Sequence, residues 1–220
     1  MQGGQGTSTF VKHEPCPSCN SSDNLSRYSD GHAYCFGCRH WEAGEGQATT
    51  NVTSIKRAKL EMTGTIEAIP DRRISADTCR KYGVTVEREA GAITKHHYPF
   101  KDKDGIVRGS KVRIVKDKEF YATGTTQGLT LFGQDTCRGS GRFITITEGE
   151  LDCLAVAEMF TCKWDVVSLR NGASSAAKEV KEQLEFLEGY ESVVLCFDND
   201  KAGKDAVEAV RDLFSPNKLK

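Results

Sequence analysis

Hydrophobic and polar positions in the last third of the chain alternate between two periods. Phe143–Thr147 (FITIT) has the pattern of a strand, and Val166–Leu169 is a second short apolar strand. Val193–Phe197 (VVLCF) is a near-continuous apolar run, suited to a parallel strand buried on both faces. Between and after these runs, apolar residues recur at helical spacing. They are Leu151, Leu154, Ala155 and Met159, then Val180, Leu184 and Leu187 within Ser174–Leu187, then Ala206, Val207, Val210 and Phe214 within Ala202–Phe214. The order β-α-β-α-β-α predicts an α/β unit with a parallel sheet covered by helices. Upstream, Thr94–Phe100, Ile106–Val115 and Glu119–Ala122 read as short antiparallel strands around the turn Asp104-Gly105. The rest of residues 61–140 carries no clear period.

The organisation expected is a disordered Gly/Gln/Ser/Thr tail at 1–10 and a cysteine-bearing module at 11–44. A linker follows at 45–60, ending in the basic cluster Lys56, Arg57 and Lys59. A mixed subdomain at 61–140 and the parallel-sheet subdomain at 141–220 complete the chain. No apolar run is long enough to span a membrane, and MQGGQGTSTF lacks the basic start and apolar stretch of a signal peptide, so a cytoplasmic location is expected. The formal net charge of -1 means that any nucleic-acid contact comes from local basic patches.

Nine cysteines are many for 220 residues. Four form the pattern Cys16-x-x-Cys19 and Cys35-x-x-Cys38, separated by fifteen residues. Two such knuckles can converge on one tetrahedral zinc, whereas disulfides or an iron–sulfur cluster are the rival uses. So short a module builds little core, so the metal is expected to hold it folded. Cys79, Cys137, Cys153, Cys162 and Cys196 lie singly and read as small buried apolar residues. Arg27, Asp30, His32, Tyr34, Arg39 and Trp41 lie close to the paired cysteines, and aromatics can stack on unpaired bases while Arg, Asp and His can bond base edges.

Three acids stand where the strand pattern ends: Glu148 after FITIT, and Asp198 and Asp200 after VVLCF. Ligands bind at the carboxyl ends of parallel strands, and clustered carboxylates suit magnesium, which can orient phosphates and activate a hydroxyl. Glu150 and Asp152 read instead as solvated acids favouring a helix N-terminus. A basic strip lies upstream: Arg108, Lys111, Arg113, Lys116 and Lys118, with Lys111 and Arg113 alternating onto one face of a strand. Asn171–Ser175 is a small-residue loop before a helix, a weak phosphate nest. Gly203-Lys204-Asp205 fails as a phosphate loop: Asp198 stands where its first Gly belongs, and no Ser or Thr follows the Lys.

These motifs, in this order, resemble the primase half of the phage T7-type primase–helicase family, and the Glu148-Gly-Glu and Asp198-x-Asp elements resemble those of the TOPRIM superfamily. The resemblance runs from Cys16 to Phe214. It also includes Ser29-Asp30-Gly31-His32, Trp41-x-Ala-Gly44, Arg73-Ile-Ser75 with Thr78-Cys79, Lys111-Val-Arg113, Leu131-Phe-Gly133, Ser168-Leu with Gly172-Ala-Ser174, and Asp200-x-Ala-Gly203. It implies a small zinc ribbon joined to a TOPRIM-type parallel-sheet domain with an antiparallel N-terminal subdomain. It implies synthesis of short RNA primers from ribonucleoside triphosphates on single-stranded DNA during phage replication. The ribbon would read the template through Asp30, His32 and Trp41, with Cys16, Cys19, Cys35 and Cys38 on zinc. Glu148, Asp198 and Asp200 would be the magnesium and catalytic carboxylates, with Lys111 and Lys118 acting beside them and Arg113 binding nucleotide.

The partners implied are a replicative helicase and a phage DNA polymerase, in the host cytoplasm and without a membrane. Arg170-Asn171 stands where the family often has Gly-His. A further strand with another metal-binding Asp is expected beyond Lys220, together with the helicase, so residues 1–220 are expected to leave a sheet edge open and to polymerise weakly alone. Two other readings share the parts: a non-catalytic recombination mediator of the RecR type, and a TOPRIM nuclease.

Overall fold

The computed structural model describes residues 8–38, 40–44, 59–125 and 127–220. The chain divides into two compact units, residues 1–56 and 57–220. Most of the expected tail and linker, and Arg39, lie outside the described residues.

The first unit is an antiparallel four-stranded sheet in sequential order: β1 (Phe10–Glu14), β2 (Leu25–Tyr28), β3 (Ala33–Cys35) and β4 (Trp41–Glu42). Phe10, expected in the tail, opens β1. The fully buried apolar residues are Cys16, Leu25, Ala33 and Cys35, with Cys19 and Cys38 packed against them. Half the apolar interior is therefore cysteine, and too little hydrophobic surface is buried to order the unit without a further cross-link.

The second unit joins an antiparallel sheet to a parallel one. Helix α1 (Ala76–Tyr82) is N-capped by Ser75, whose hydroxyl accepts the Thr78 N–H, and it stops at Gly83 in the left-handed region. The antiparallel strands β5 (Thr85–Glu89), β6 (Ala92–Lys101), β7 (Val107–Ile114) and β8 (Glu119–Gly124) pair in sequential order. The last three match the expected strands; α1 and β5 were not legible.

The parallel sheet has β9 (Gly141–Thr147) at its centre, flanked by β10 (Asp165–Ser168) and β11 (Tyr190–Cys196). The apolar runs become buried because helices cover them: α2 (Glu150–Met159), α3 (Ala176–Glu182), α4 (Leu184–Glu188) and α5 (Lys201–Arg211). Ile144, Ile146, Val167, Val180, Leu187, Val193 and Val210 form one core. Because the chain places β10 on one side of β9 and β11 on the other, the connections diverge at the carboxyl end of β9, where such sheets bind ligands.

Three expectations are corrected. The helix expected over Ser174–Leu187 is a 3-10 turn followed by α3 and α4, because Gln183 leaves helical dihedrals (φ −115°, ψ 16°) while its side chain is held by Gln134. Cys196, expected to be packed, is exposed at the end of β11. The β11 edge is not left bare: Leu219 pairs in parallel with Val193, and the Lys220 N–H donates to the Val193 carbonyl at 2.9 Å.

Candidate functional site

In the ribbon, the Sγ atoms of Cys16 and Cys38 lie 3.5 Å apart, and those of Cys19 and Cys35 3.7 Å. Sulfurs at the corners of a tetrahedron with metal–sulfur bonds of about 2.3 Å stand about 3.8 Å apart, and a disulfide would bring them to about 2.05 Å. The four cysteines therefore converge as a metal site and are not disulfide-bonded. Burial pushes the Cys38 thiol up to about 12 and raises Cys16, whereas the Ser21 hydroxyl lowers Cys19 to about 6. Raised thiols such as Cys16 and Cys38 would give up their protons to a metal bound there.

Beside the cysteines, the β2–β3 turn preorganises one histidine. Asp30 Oδ1 lies 2.5 Å from His32 Nδ1 and accepts the His32 backbone N–H at 3.2 Å, and the His32 ring stacks on Tyr28 with centroids 4.3 Å apart. Partial desolvation opposes ionisation of Asp30, but the bonds from His32 hold its carboxyl below the usual range. Asp30 engages Nδ1, so Nε2 is the ring nitrogen turned to other contacts. Arg27, in contrast, is spent internally: it pairs with Glu14 at 2.5 Å and Glu42 at 2.8 Å. Trp41 lies half-buried on β4 opposite Tyr34.

At the switch point, Glu148 is the hub. Its Oε1 accepts the Ala173 N–H at 3.4 Å and its Oε2 accepts the Asp198 N–H at 3.3 Å, so the loops after all three parallel strands meet on one carboxylate. Asp198 is exposed. Asp200 N-caps α5 by accepting the Gly203 N–H at 2.8 Å. A Cβ at position 203 would lie 2.1 Å from the Asp198 carbonyl, so only glycine lets α5 start this close to the acid. The Asp152 carboxyl is pushed up by desolvation and then by Asp198 and Glu148, with Arg72 and Arg113 opposing.

Among the described residues, the side-chain groups whose ligand atoms all lie within 4.8 Å of one another are the four cysteines and Glu61, Glu87 and His97. Glu148, Asp198 and Asp200 share one sheet end without closing to that distance. Glu148 and Asp200 accept backbone N–H groups, Asp200 as the N-cap of α5.

Glu61, Glu87 and His97 were missed in the sequence, because they come from three separated segments. One cation already sits between the two carboxylates: Lys95 lies 3.7 Å from Glu61 and 3.2 Å from Glu87. His97 Nε2 lies 3.0 Å from Glu87, while its buried Nδ1 has no partner. A metal on Nε2 would force the proton onto that partnerless nitrogen, so this is a closed ionic network.

The basic strip splits in two. Arg113 and Lys118 line a cleft of about 570 Å³ with Arg72, Arg88 and His96. Burial, with Arg113 and Arg72 nearby, lowers His96 to about 4, so it is neutral, and the buried Arg113 Nε has no partner. Arg72, Arg88 and His96 were not singled out in the sequence, since three different elements contribute them. Lys111 and Arg113 do share a strand face, both lying over the Phe120 ring at 5.1 and 5.5 Å. Lys111, however, turns to Glu150: its Nζ is 3.0 Å from each Glu150 carboxylate oxygen and 3.0 Å from the Arg170 carbonyl. Glu150, expected to be solvated, is 2% exposed. Burial pushes its carboxyl up, and Lys111 pulls it back.

Residues 145–220 match the Toprim-like family, and residues 64–124 match the N-terminal a+b fold of the bacteriophage T7 DNA helicase/primase. The chain is 33% identical to the DNA helicase/primase of Enterobacteria phage T3, over 97% of its own length and 39% of that protein's, so it spans about two fifths of that relative. It is similar to the crystal structure of the primase fragment of the bacteriophage T7 primase-helicase (33% identity, TM-score 0.68, covering 96% of this chain and 89% of that one). It is also similar to a chain in a structure of the T7 lagging-strand DNA polymerase interacting with primase domains bound to an RNA/DNA hybrid and dTTP (36% identity, TM-score 0.64, covering 71% and 79%). With a relative above 30% identity matched along nearly its whole length, the chain belongs to the T7-type primase–helicase family, corresponding to its primase fragment.

Proposed function

We propose that this chain is a DNA primase that builds short RNA primers on single-stranded DNA from ribonucleoside triphosphates. The observation that carries this reading is the match along nearly the whole chain to a primase fragment, combined with the meeting of all three parallel-strand loops on Glu148. The reaction is in-line attack of a ribose 3′-hydroxyl on the α-phosphate of the next triphosphate, with pyrophosphate leaving. Glu148, Asp198 and Asp200 are oxygen donors suited to magnesium, which when bound supplies charge neutralisation for the phosphates. Glu148 would hold metal or take the hydroxyl proton. Arg113 and Lys118, with Arg72, offer positive charge to the triphosphate or the template backbone from the cleft they line. The four cysteines hold a structural zinc, and His32 Nε2, Asp30 and Trp41 read template bases.

The partners proposed are a replicative helicase and the phage DNA polymerase, acting in the host cytoplasm. No helix among the described residues is long and apolar enough to cross a membrane. The test is incorporation of labelled ribonucleotide on single-stranded DNA with magnesium. Short labelled RNA supports the primase, cut DNA supports a nuclease, and binding with neither supports a recombination mediator.

A further inference from the structure

An ammonium has three protons. Those of Lys111 are matched by three acceptors at 3.0 Å each: both oxygens of Glu150 and the Arg170 carbonyl. None is left for a phosphate. The three points so joined are unusual in what they support. Lys111 belongs to β7 of the antiparallel sheet. Glu150 opens α2, two residues after Glu148. Arg170 begins the loop whose Ala173 N–H donates to Glu148. The same loop is clamped from its other side, where Glu179 accepts the Arg170 and Asn171 N–H groups at 2.7 and 3.2 Å. One lysine thus ties the segment that bears Glu148, and one of the two loops that donate to its carboxylate, to the sheet that bears Arg113.

We propose that Glu150 is a positioning residue and that Lys111 acts through it, as a buried ionic strut fixing Glu148 relative to the nucleotide cleft, and not as a phosphate ligand. Without Lys111 the buried Glu150 carboxylate has lost the partner that both of its oxygens share, and no other side chain among the described residues holds it in place. The helix start and the loop after β10 would shift with it, and the hub acid with them. Phosphate binding is left to Arg113, Lys118 and Arg72, which open onto the cleft.

Two measurements on the full chain test this; only the second rests on the primase reading. The first is lysine acylation by acetic anhydride, read residue by residue by mass spectrometry. Lys111 should label about tenfold more slowly than Lys118. Saturating ribonucleoside triphosphate should leave Lys111 unchanged, and Glu150→Gln should speed its labelling about fivefold or more. Labelling of Lys111 as fast as Lys118, or protection of Lys111 by nucleotide, would overturn the strut, and the wild-type comparison needs no variant to fold.

The second is primer synthesis by Glu150→Gln, Lys111→Met and the double variant. Each single change should lower kcat about tenfold while KM for nucleotide stays within about twofold, and the double should fall no further than the worse single. A raised KM in Lys111→Met with normal synthesis by Glu150→Gln would make Lys111 a phosphate ligand after all. If the wild type incorporates no ribonucleotide, the primase reading fails, and the labelling result alone decides the strut.

Discussion

The Glu148 carboxylate accepts the backbone N–H of Asp198 at 3.3 Å, joining the first acid after β9 to the first acid after β11. Neighbouring parallel strands end together, so two acids fifty residues apart in sequence become adjacent. The Asp198 N–H holds the Glu148 carboxylate beside a second acid, a grouping of oxygen donors that suits a hard cation. This relationship makes the strand ends the centre of the functional account.

Asp200 is a helix cap and, in the proposed function, a metal ligand, and substitution can separate the two. As N-cap of α5 it needs only a side-chain oxygen, whereas as a metal ligand it needs charge. Asp200→Asn should therefore melt close to wild type yet lose synthesis, while Asp200→Ala should lose synthesis and about 1 kcal/mol of stability. Normal synthesis by the Asn variant would reduce Asp200 to a cap.

The ribbon should hold one zinc per chain. Cys35→Ser, or removal of the metal by a chelator, should unfold residues 11–44 and leave residues 59–220 folded, since the two units are separately compact. Elemental analysis together with amide hydrogen exchange checks both parts. Iron in place of zinc, or an undisturbed ribbon without metal, would contradict the assignment.

Template reading and chemistry should separate. Asp30 and the Tyr28 ring fix His32, so His32→Ala should reduce initiation at a recognition sequence about tenfold or more while sparing extension of a preformed RNA. Asp30→Asn should act in the same direction and more weakly, because the amide still holds the imidazole by a neutral bond. Equal loss of initiation and extension would contradict the division.

Lys118 stands in the β7–β8 turn in a left-handed conformation (φ 57°) and lines the basic cleft. Lys118→Ala should raise KM for nucleotide about three- to tenfold, and the difference from wild type should shrink as salt is added, as screening of a phosphate contact requires. A nucleotide dependence indifferent to both the substitution and salt would return this residue to the solvated surface.

The parts legible in the sequence were those encoded over a few consecutive residues. The C-x-x-C pairs carry their geometry in their spacing, and β9 and β11 announce their acids because each apolar run ends where the carboxylates begin. What stayed hidden depends on partners distant in sequence. Glu150 reads as a solvated helix-start acid until β7 brings Lys111, thirty-nine positions upstream, against it. The cleft lined by Arg72, Arg88, His96, Arg113 and Lys118 adds residues from separated segments to the basic strip that supplies Arg113 and Lys118. Helix α1 and strand β5 are short, and their apolar residues Cys79, Tyr82 and Val86, with Val84 between the two elements, show a core only once packed. The interruption at Gln183 has no local breaker such as Gly or Pro, and the Gln183 side chain meets Gln134, far away in sequence.

The most direct test of the strand-end site is Asp198→Asn, measured as magnesium-dependent incorporation of labelled ribonucleotide on single-stranded DNA, with DNA binding followed in parallel. Asp198 is exposed and its side chain supports no helix cap, so the substitution should leave folding and DNA affinity intact. Loss of one anionic ligand from a hard-cation site with few to spare should lower synthesis about a hundredfold or more. Synthesis within a fewfold of wild type, at the same magnesium requirement, would place the chemistry elsewhere.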